Sequence, residues 1–322
     1  MSGLCYEPVP YWAKVPHGIT FRGSATSVAV DAWDQVYVFN RGSHPLLVFD
    51  RDGNFLVSLA DETEFTRPHS IRIVGDAMFL IDDGAHVIEK RTLGGELVFR
   101  LGTRGQAAPW QSGEMFNRPT DVSVHPLTGE LFIADGYGNS RVHRLSPEGE
   151  HIASWGRPGA DPGEFSLPHG IWVTADDRVI VCDRENFRVQ VFATDGTFIE
   201  QWHLHRPVCI TAAPGPDLRL YIGEHSPHLI QKGVPGLGPV VRILDGSGAE
   251  LGRFGRPAQG HGPDQFMDPH GLAIDSRGDV YIAEVCNSWL ETLSGPPPRG
   301  EWPSLRKWRR KVVARQDNST GD

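Results

Sequence analysis

The chain has 322 residues, with 31 Lys and Arg against 40 Asp and Glu, 37 Gly, 25 Pro and 39% hydrophobic residues. A net charge of −9 argues against a nucleic-acid or anionic-membrane binder, whose contact face must be basic. No run approaches the ~18 apolar residues of a membrane span, and the apolar content excludes wholesale disorder. In chain order, the N-terminal stretch MSGLCYEPVPYWAKVPHG has neither a basic n-region nor an apolar h-region, so no secretory signal is expected. The four scattered cysteines (Cys5, Cys182, Cys209 and Cys286) form no CxxC pair, so free thiols in a reduced cytoplasmic protein are expected.

The chain repeats itself from about residue 20 onward. The first unit is TSVAVDAWDQVYVFN. Five Pro-centred phrases follow: RPHSIRI from Arg67, RPTDVSV from Arg118, LPHGIWV from Leu167, RPVCITA from Arg206 and DPHGLAI from Asp268. Each opens an apolar run. A second run then ends on a polar residue, at Asn40, Asp82, Asp135, Asp183, Glu224 and Glu284 in turn. Third runs such as FRVQVFATDG and PLLVFDRDG end in hairpin signals, and fourth runs such as LVFRLG and FIEQW follow. Four short antiparallel strands per unit of about 40–50 residues is the size of a propeller blade. The chain therefore reads as one all-β domain, a six-bladed β-propeller. Its blades fall roughly at 20–60, 61–105, 106–156, 157–203, 204–255 and 256–312. Closure is expected from an N-terminal strand within 8–16, where YWAKV at Tyr11–Val15 resembles the fourth strands. The strand around Leu305, after the GPPPRG insertion, is its expected partner. The Lys/Arg cluster Arg306–Arg315 reads as an exposed strand and tail, with a basic partner-binding helix as the alternative, and 313–322 as a disordered tail. The six polar residues that end the second runs are expected to hydrogen-bond turns within the blades.

The first strand of each blade lines the channel, and the residue after each Pro sits at one rim. Those residues are His69, Thr120, His169, Val208 and His270, so histidine occurs in units two, four and six and in no other. Alternate blades of six are about 120° apart, and a tris-His set is a metal geometry that leaves a position for water or substrate. Zn2+ is the expected metal, with another divalent transition metal such as Fe or Mn as the alternative. The competing possibility is three channel histidines satisfied by backbone carbonyls. On the same rim, Arg41 and Arg184 follow the second-strand ends of units one and four, which face each other across the channel. They suit a carboxylate or other anionic group. Tyr137 lies two past Asp135 and is placed to act as a base. His44 and His225 are weaker, substrate-proximal candidates. No G-x-S-x-G, P-loop or dinucleotide fingerprint occurs in a suitable context.

The phrases GEMFNRPTDV, GEFSLPHGI and PDQFMDPHGLAI resemble NHL repeats. More narrowly, FNRGSH at Phe39, RPTDVSVHPLTGELFIADGYGNSRV at Arg118, SWGRPGADPGEFSLPHGI at Ser154 and VCDRENFRVQVF at Val181 resemble the peptidyl-α-hydroxyglycine α-amidating lyase family. The likeness covers most of residues 25–290 and is weakest in the fifth unit. It implies a six-bladed propeller with zinc held by His69, His169 and His270, an active-site tyrosine at Tyr137 and two active-site arginines at Arg41 and Arg184. It also implies cleavage of an α-hydroxyglycine into an amide and glyoxylate. The chain departs from the family in carrying Asp268 where a methionine is usual, which makes Asp268 a substrate-proximal candidate. Gly271 stands where an aspartate helps to hold a structural calcium, so that calcium is in doubt. Gly138 stands where a disulfide-forming cysteine is usual. Neither a secretory segment nor a fused monooxygenase domain is read here, so a small cytosolic carbinolamide or hydroxy acid is the expected substrate, with no nucleic-acid or membrane partner. The alternatives are a metal-dependent hydrolase of lactonase type and a non-catalytic NHL scaffold. The oligomeric state is left open.

Overall fold

A computed structural model describes residues 4–228, 231, 233–286 and 303–311. The chain begins with strand β1 (Cys5–Val9). Blade one follows as β2 (Ala25–Val30), β3 (Val36–Asn40), β4 (Leu46–Phe49) and β5 (Phe55–Ser58). Blade two is β6 (Pro68–Val74), β7 (Ala77–Asp82), β8 (Val87–Thr92) and β9 (Leu97–Leu101). Blade three is β10 (Asp121–Val124), β11 (Leu131–Asp135), β12 (Arg141–Leu145) and β13 (His151–Trp155), with a one-turn helix α1 (Gly136–Asn139) after β11. Blade four is β14 (Pro168–Val173), β15 (Arg178–Asp183), β16 (Arg188–Ala193) and β17 (Phe198–His203). Blade five is β18 (Pro207–Ala212), β19 (Arg219–Glu224), β20 (Val241–Asp245) and β21 (Glu250–Phe254). Blade six takes β22 (Pro269–Ile274), β23 (Val280–Glu284) and β24 (Leu305–Lys311) from the end of the chain, and β1 pairs with β24 to complete it. This is the expected all-β six-bladed propeller. Among the described residues, no helix is long and apolar enough to cross a membrane.

The second strands read as continuous apolar runs because both of their faces are covered: VYVFN, LFIAD and VYIAE are buried along their whole length. Each gap between neighbouring blades holds its own apolar cluster, so the core is a ring of six wedges and not one central mass. Burial of this area on both faces of every sheet is the main stabilising term.

Two sequence expectations about closure need correction. The strand that completes blade six is Cys5–Val9, with Cys5 opposite Lys311 and Val9 opposite Lys307, and not Tyr11–Val15. Tyr6 decides this register. Its ring packs on Phe254 with centroids 4.7 Å apart, and its hydroxyl meets that of Tyr221 at 2.7 Å. Pro10 has no N–H to offer and Tyr11 turns to a φ of 54°, which ends the extended run. Trp12 then folds over the blade one side, 5.0 Å from the ring of Tyr281. The start of the basic cluster is also not exposed. Arg306, Lys307 and Trp308 are buried because β24 is an interior strand between β23 and β1. Arg306 pairs with Glu284, and Lys307 with Asp279 at 3.3 Å. Only Arg309, Arg310 and Lys311 of the described part face solvent. The GPPPRG insertion and residues 313–322 lie outside the described residues.

Trp308 lies in the wedge between blades five and six, against Phe254 and Phe266 at 4.9 and 5.5 Å. Trp308→Ala is expected to cost about 3–5 kcal/mol in denaturant unfolding, as for other buried aromatic truncations. A loss below about 1 kcal/mol would mean that ring closure does not rest on this strand.

Candidate active site

The rim of the channel is built by one device repeated around the ring. In blades two to six the polar residue that ends the second strand accepts the backbone N–H of the residue two before the proline. Asp82 takes Thr66 N at 2.7 Å, Asp135 takes Asn117 N at 3.0 Å and Asp183 takes Ser166 N at 2.7 Å. Glu224 takes His205 N at 2.9 Å and Glu284 takes Met267 N at 2.6 Å. A charged acceptor makes a strong bond to an N–H, so the approach to each first strand is fixed. Asn40 holds its own turn instead, accepting Gly42 N at 2.7 Å. Immediately after the prolines of blades two, four and six the register with the second strand slips, between Pro68 and Ser70, Pro168 and Ile171, and Pro269 and Gly271. A bulge re-aims the side chain at the irregular position. Here that residue is His69, His169 or His270. The same slip brackets Thr26 in blade one and Val208 in blade five.

The three imidazoles meet at the axis. Their ring centroids are 4.7, 4.8 and 5.0 Å apart, and one nitrogen from each lies within 4.8 Å of the others. Each Nδ1 is held by a backbone carbonyl of the next blade: His69 by Thr120 O at 2.7 Å, His169 by Val208 O at 2.9 Å and His270 by Thr26 O at 2.7 Å. A carbonyl only accepts, so each Nδ1 carries the proton and each Nε2 presents a lone pair. The Tyr137 hydroxyl lies 3.1 Å from His69 Nε2 and 3.2 Å from His169 Nε2, but it has one proton and can satisfy only one of them. Burial pushes the basicity of all three histidines down, to about 3 for His270, with further lowering from neighbouring charges, Arg41 for His270 and His270 itself for His69 and His169. Neutral imidazoles with converging lone pairs, each oriented by a second hydrogen bond, fit a divalent transition metal. The carbonyl contacts therefore orient the trio toward the axis and do not occupy its Nε2 atoms.

Five arginines surround this centre. Arg118, Arg67 and Arg184 approach the Tyr137 ring at 4.5, 5.8 and 6.0 Å. Asp83, fully buried, takes Arg67 at 2.7 Å and Arg118 at 2.8 Å. Glu185 takes Arg184 Nε at 2.7 Å and Arg206 at 2.9 Å. Burial opposes the Glu185 charge, but Arg206 and Arg184 hold its pKa at about 2. Arg41 gives only Nε to Pro68 O, at 3.2 Å. Burial, reinforced by Arg67, lowers its pKa. Among the described residues, the forked nitrogens of Arg41 and Arg184 donate no hydrogen bond, which leaves two bidentate donors for an anion.

The expected residues His69, His169, His270, Tyr137, Arg41 and Arg184 therefore share one rim. His225 joins them: buried, its ring lies 6.1 Å from His270 and 6.4 Å from His169, and its Nε2 is 3.5 Å from Asp268. Asp268 is itself buried and accepts Ser226 N at 3.0 Å. His44 is not brought to the trio. It sits in the β3–β4 turn with Nδ1 3.0 Å from Ser43 Oγ. Sequence reasoning missed Arg67, Arg118 and Arg206. The signal was present, since each stands immediately before the proline of its phrase, on the same turn that aims the residue after it. Below the trio the channel narrows to about 20 Å³ beside Arg72. Arg72 crosses it to Val122 O at 3.2 Å and Asp121 at 2.9 Å. The larger apolar cavity at the far mouth, about 750 Å³, lies beyond Arg72 and away from the polar rim, so its size does not make it the reactive site. A Cβ at Gly271 would come within 2.6 Å of Ser27 Cα, so this position admits no side chain without parting blades six and one.

His69, His169, His225 and His270 are all buried with lowered basicity, whereas unfolded histidines take up protons near pH 6.5. Their contribution to stability is complete above about pH 6.5 and is lost as pH falls toward the folded values. Urea unfolding of chelator-treated protein should show a lower midpoint at pH 5 than at pH 7.5. An unchanged midpoint would mean that these imidazoles already take protons in the native state.

The NHL repeat family model matches residues 165–192 and 266–291, in blades four and six. The chain is 28% identical over 326 residues to peptidyl-glycine alpha-amidating monooxygenase B of Xenopus laevis, covering 88% of this chain and 35% of that protein. It thus spans about a third of the length of that relative. It is 30% identical over 294 residues to NHL repeat-containing protein 3 of Homo sapiens, covering 85% of this chain and 80% of that one. It is also 29% identical over 252 residues to peptidyl-alpha-hydroxyglycine alpha-amidating lyase 1 of Drosophila melanogaster, covering 69% and 43%. Among solved structures, a gluconolactonase from Xanthomonas campestris matches with a TM-score of 0.57 and 16% identity over 95% of this chain and 96% of that one, a likeness of fold. The chain belongs to the NHL-repeat six-bladed propeller family that includes NHL repeat-containing protein 3 and the peptidyl-alpha-hydroxyglycine alpha-amidating lyases.

Proposed function

We propose that this protein is a metal-dependent lyase that cleaves a small α-hydroxy amide bearing a carboxylate into an amide and glyoxylate. One observation carries the reading: three buried Nε2 acceptors converge beside a tyrosine hydroxyl, with two open guanidinium forks on the same rim. His69, His169 and His270 would hold the metal, Zn2+ or another divalent transition metal such as Fe or Mn. Such an ion supplies Lewis acidity that loosens the proton of a nearby hydroxyl. Arg41 and Arg184 hold the substrate carboxylate, which orients the carbon bearing both OH and N. Tyr137 takes the proton from that hydroxyl. As the C=O of glyoxylate forms, the C–N bond breaks, the electron pair stays on nitrogen, and Tyr137 returns the proton to it. No water is consumed and nothing is oxidised or reduced, which separates this reading from a lactonase-type hydrolase. The four cysteines, all free, fit a reducing compartment such as the cytoplasm.

Alanine at His69, His169 or His270 should abolish stoichiometric transition metal in the purified protein while far-UV dichroism stays native. Metal content equal to wild type in all three variants would refute the centre. Tyr137→Phe should keep the metal and lose rate by a factor on the order of 10²–10⁴. Arg41→Lys and Arg184→Lys should raise KM, because a point charge cannot reproduce a bidentate fork. For the reaction itself, metal-loaded protein should convert α-hydroxyhippurate into glyoxylate and benzamide without incorporating oxygen from labelled water. Ring opening of lactones with no glyoxylate would establish the hydrolase instead.

A further inference from the structure

One level below the histidine trio the channel is spanned by a charged side chain. The residues next after the rim position of each blade, Ser27, Ser70, Asp121, Gly170, Cys209 and Gly271, ring the axis there. Asp121 is the one carboxylate among them. Its Oδ1 accepts Ser70 Oγ at 2.7 Å and Val122 N at 2.9 Å, and its Oδ2 accepts Arg72 at 2.9 Å and Ile171 N at 3.1 Å. Arg72 enters from blade two. Its Nε donates to Val122 O of blade three at 3.2 Å, and the forked nitrogen that meets Asp121 also donates to Ile210 O of blade five at 3.4 Å. The guanidinium carbon lies 5.1 Å from the Trp172 ring of blade four. One guanidinium thus joins blade two to blades three, four and five.

The likeness to the lyase family implies a structural calcium to which an aspartate at position 271 contributes. The residues present do not fit one. Calcium takes about six to eight oxygen ligands, carboxylates among them. Gly271 offers no carboxylate and has no room for one, because its Cβ would lie 2.6 Å from Ser27 Cα. The four donors on Asp121 already fill the roughly four lone-pair sites of a carboxylate. Among the described residues, the histidine trio is the only group of three or more His, Cys, Asp or Glu placed to share an ion. Imidazole nitrogens suit transition metals, whereas calcium takes oxygen.

We propose that Arg72 is the resident axial cation of this propeller: its guanidinium does the work of the calcium and makes the closed ring independent of that ion. Guanidinium is always charged and presents its donors in a fixed fork, so it bridges carbonyl and carboxylate oxygens from several blades as an ion does. Being tethered to the chain, it is not lost to a chelator. Through Asp121 it also secures Ser70, which follows His69, and Ile171, two residues after His169. Neither this role nor its test depends on the reaction catalysed.

Thermal unfolding of the full chain, stripped of metal by a chelator and dialysed, tests the role. Wild type should keep the same Tm when millimolar Ca2+ is added. Arg72→Ala should unfold about 5 °C or more lower, the scale of a buried ion pair broken on one side. That variant opens a cradle of Asp121, Val122 O and Ile210 O, so Ca2+ or methylguanidinium should restore much of the loss. Arg72→Met fills much of the same space without charge, so it should be destabilised and respond to neither ion. Arg72→Lys keeps the charge without the fork and should lie between Arg72→Met and wild type, a comparison that decides the matter even where Arg72→Ala does not fold. A wild-type Tm that rises with Ca2+ would overturn the proposal. So would Arg72→Ala that is as stable as wild type or unresponsive to both ions, and so would Arg72→Lys no more stable than Arg72→Met.

Discussion

The structure turns on a single contact used three times: an imidazole Nδ1–H of one blade donated to a backbone carbonyl at the start of the next. His69 reaches Thr120, His169 reaches Val208 and His270 reaches Thr26. The contact sets the tautomer, turns Nε2 to the axis and stitches blade two to three, four to five and six to one. It also gives the alternation a physical reason. The carbonyl partners belong to blades whose own equivalent residue is Thr or Val, which do not project an imidazole into the same space. Every imidazole of the trio is thus oriented by a neighbour, and the cluster exists only when the ring is closed.

Closure is correspondingly expensive to lose. His270 of blade six reaches back to blade one, and blade six is assembled from both ends of the chain through β24 and β1. The wedge around Tyr6, Tyr221, Phe254 and Trp308 carries that joint. Fraying there would open the site as well as the fold. The anchoring carboxylates act one step earlier, fixing the turn before the proline in blades two to six.

Electrostatics divide the rim into structural and available charge. Asp83 and Glu185 each neutralise two arginines, a strong arrangement for buried guanidinium groups. Arg41 is buried without a carboxylate partner, and its lowered pKa reflects that desolvation. An arriving carboxylate would relieve it.

The repeat was legible in the sequence because each strand carries its own local pattern: alternating or continuous apolar runs, Asp-Gly turns, a Pro phrase and a polar stop. Counting these is enough to name six blades, and six-fold geometry then places His69, His169 and His270 together and Arg41 opposite Arg184. Tyr137 needed the likeness of DGYGNSR to a known family as well. What no local pattern could reveal is pairing between distant segments. Cys5–Val9, not Tyr11–Val15, closes the ring because Tyr6 fits a wedge formed more than 200 residues away. Arg306 and Lys307 are buried because β1 lies beyond them. Asp83 and Glu185, which decide which arginines stay free, look like ordinary turn residues until the blades stand side by side. The sequence by itself determined the architecture and the meeting of the three histidines, since repetition writes both into the units. Tertiary structure alone decided the closing strand and which rim arginines are paired with carboxylates, since both depend on contacts between units that share no local signal.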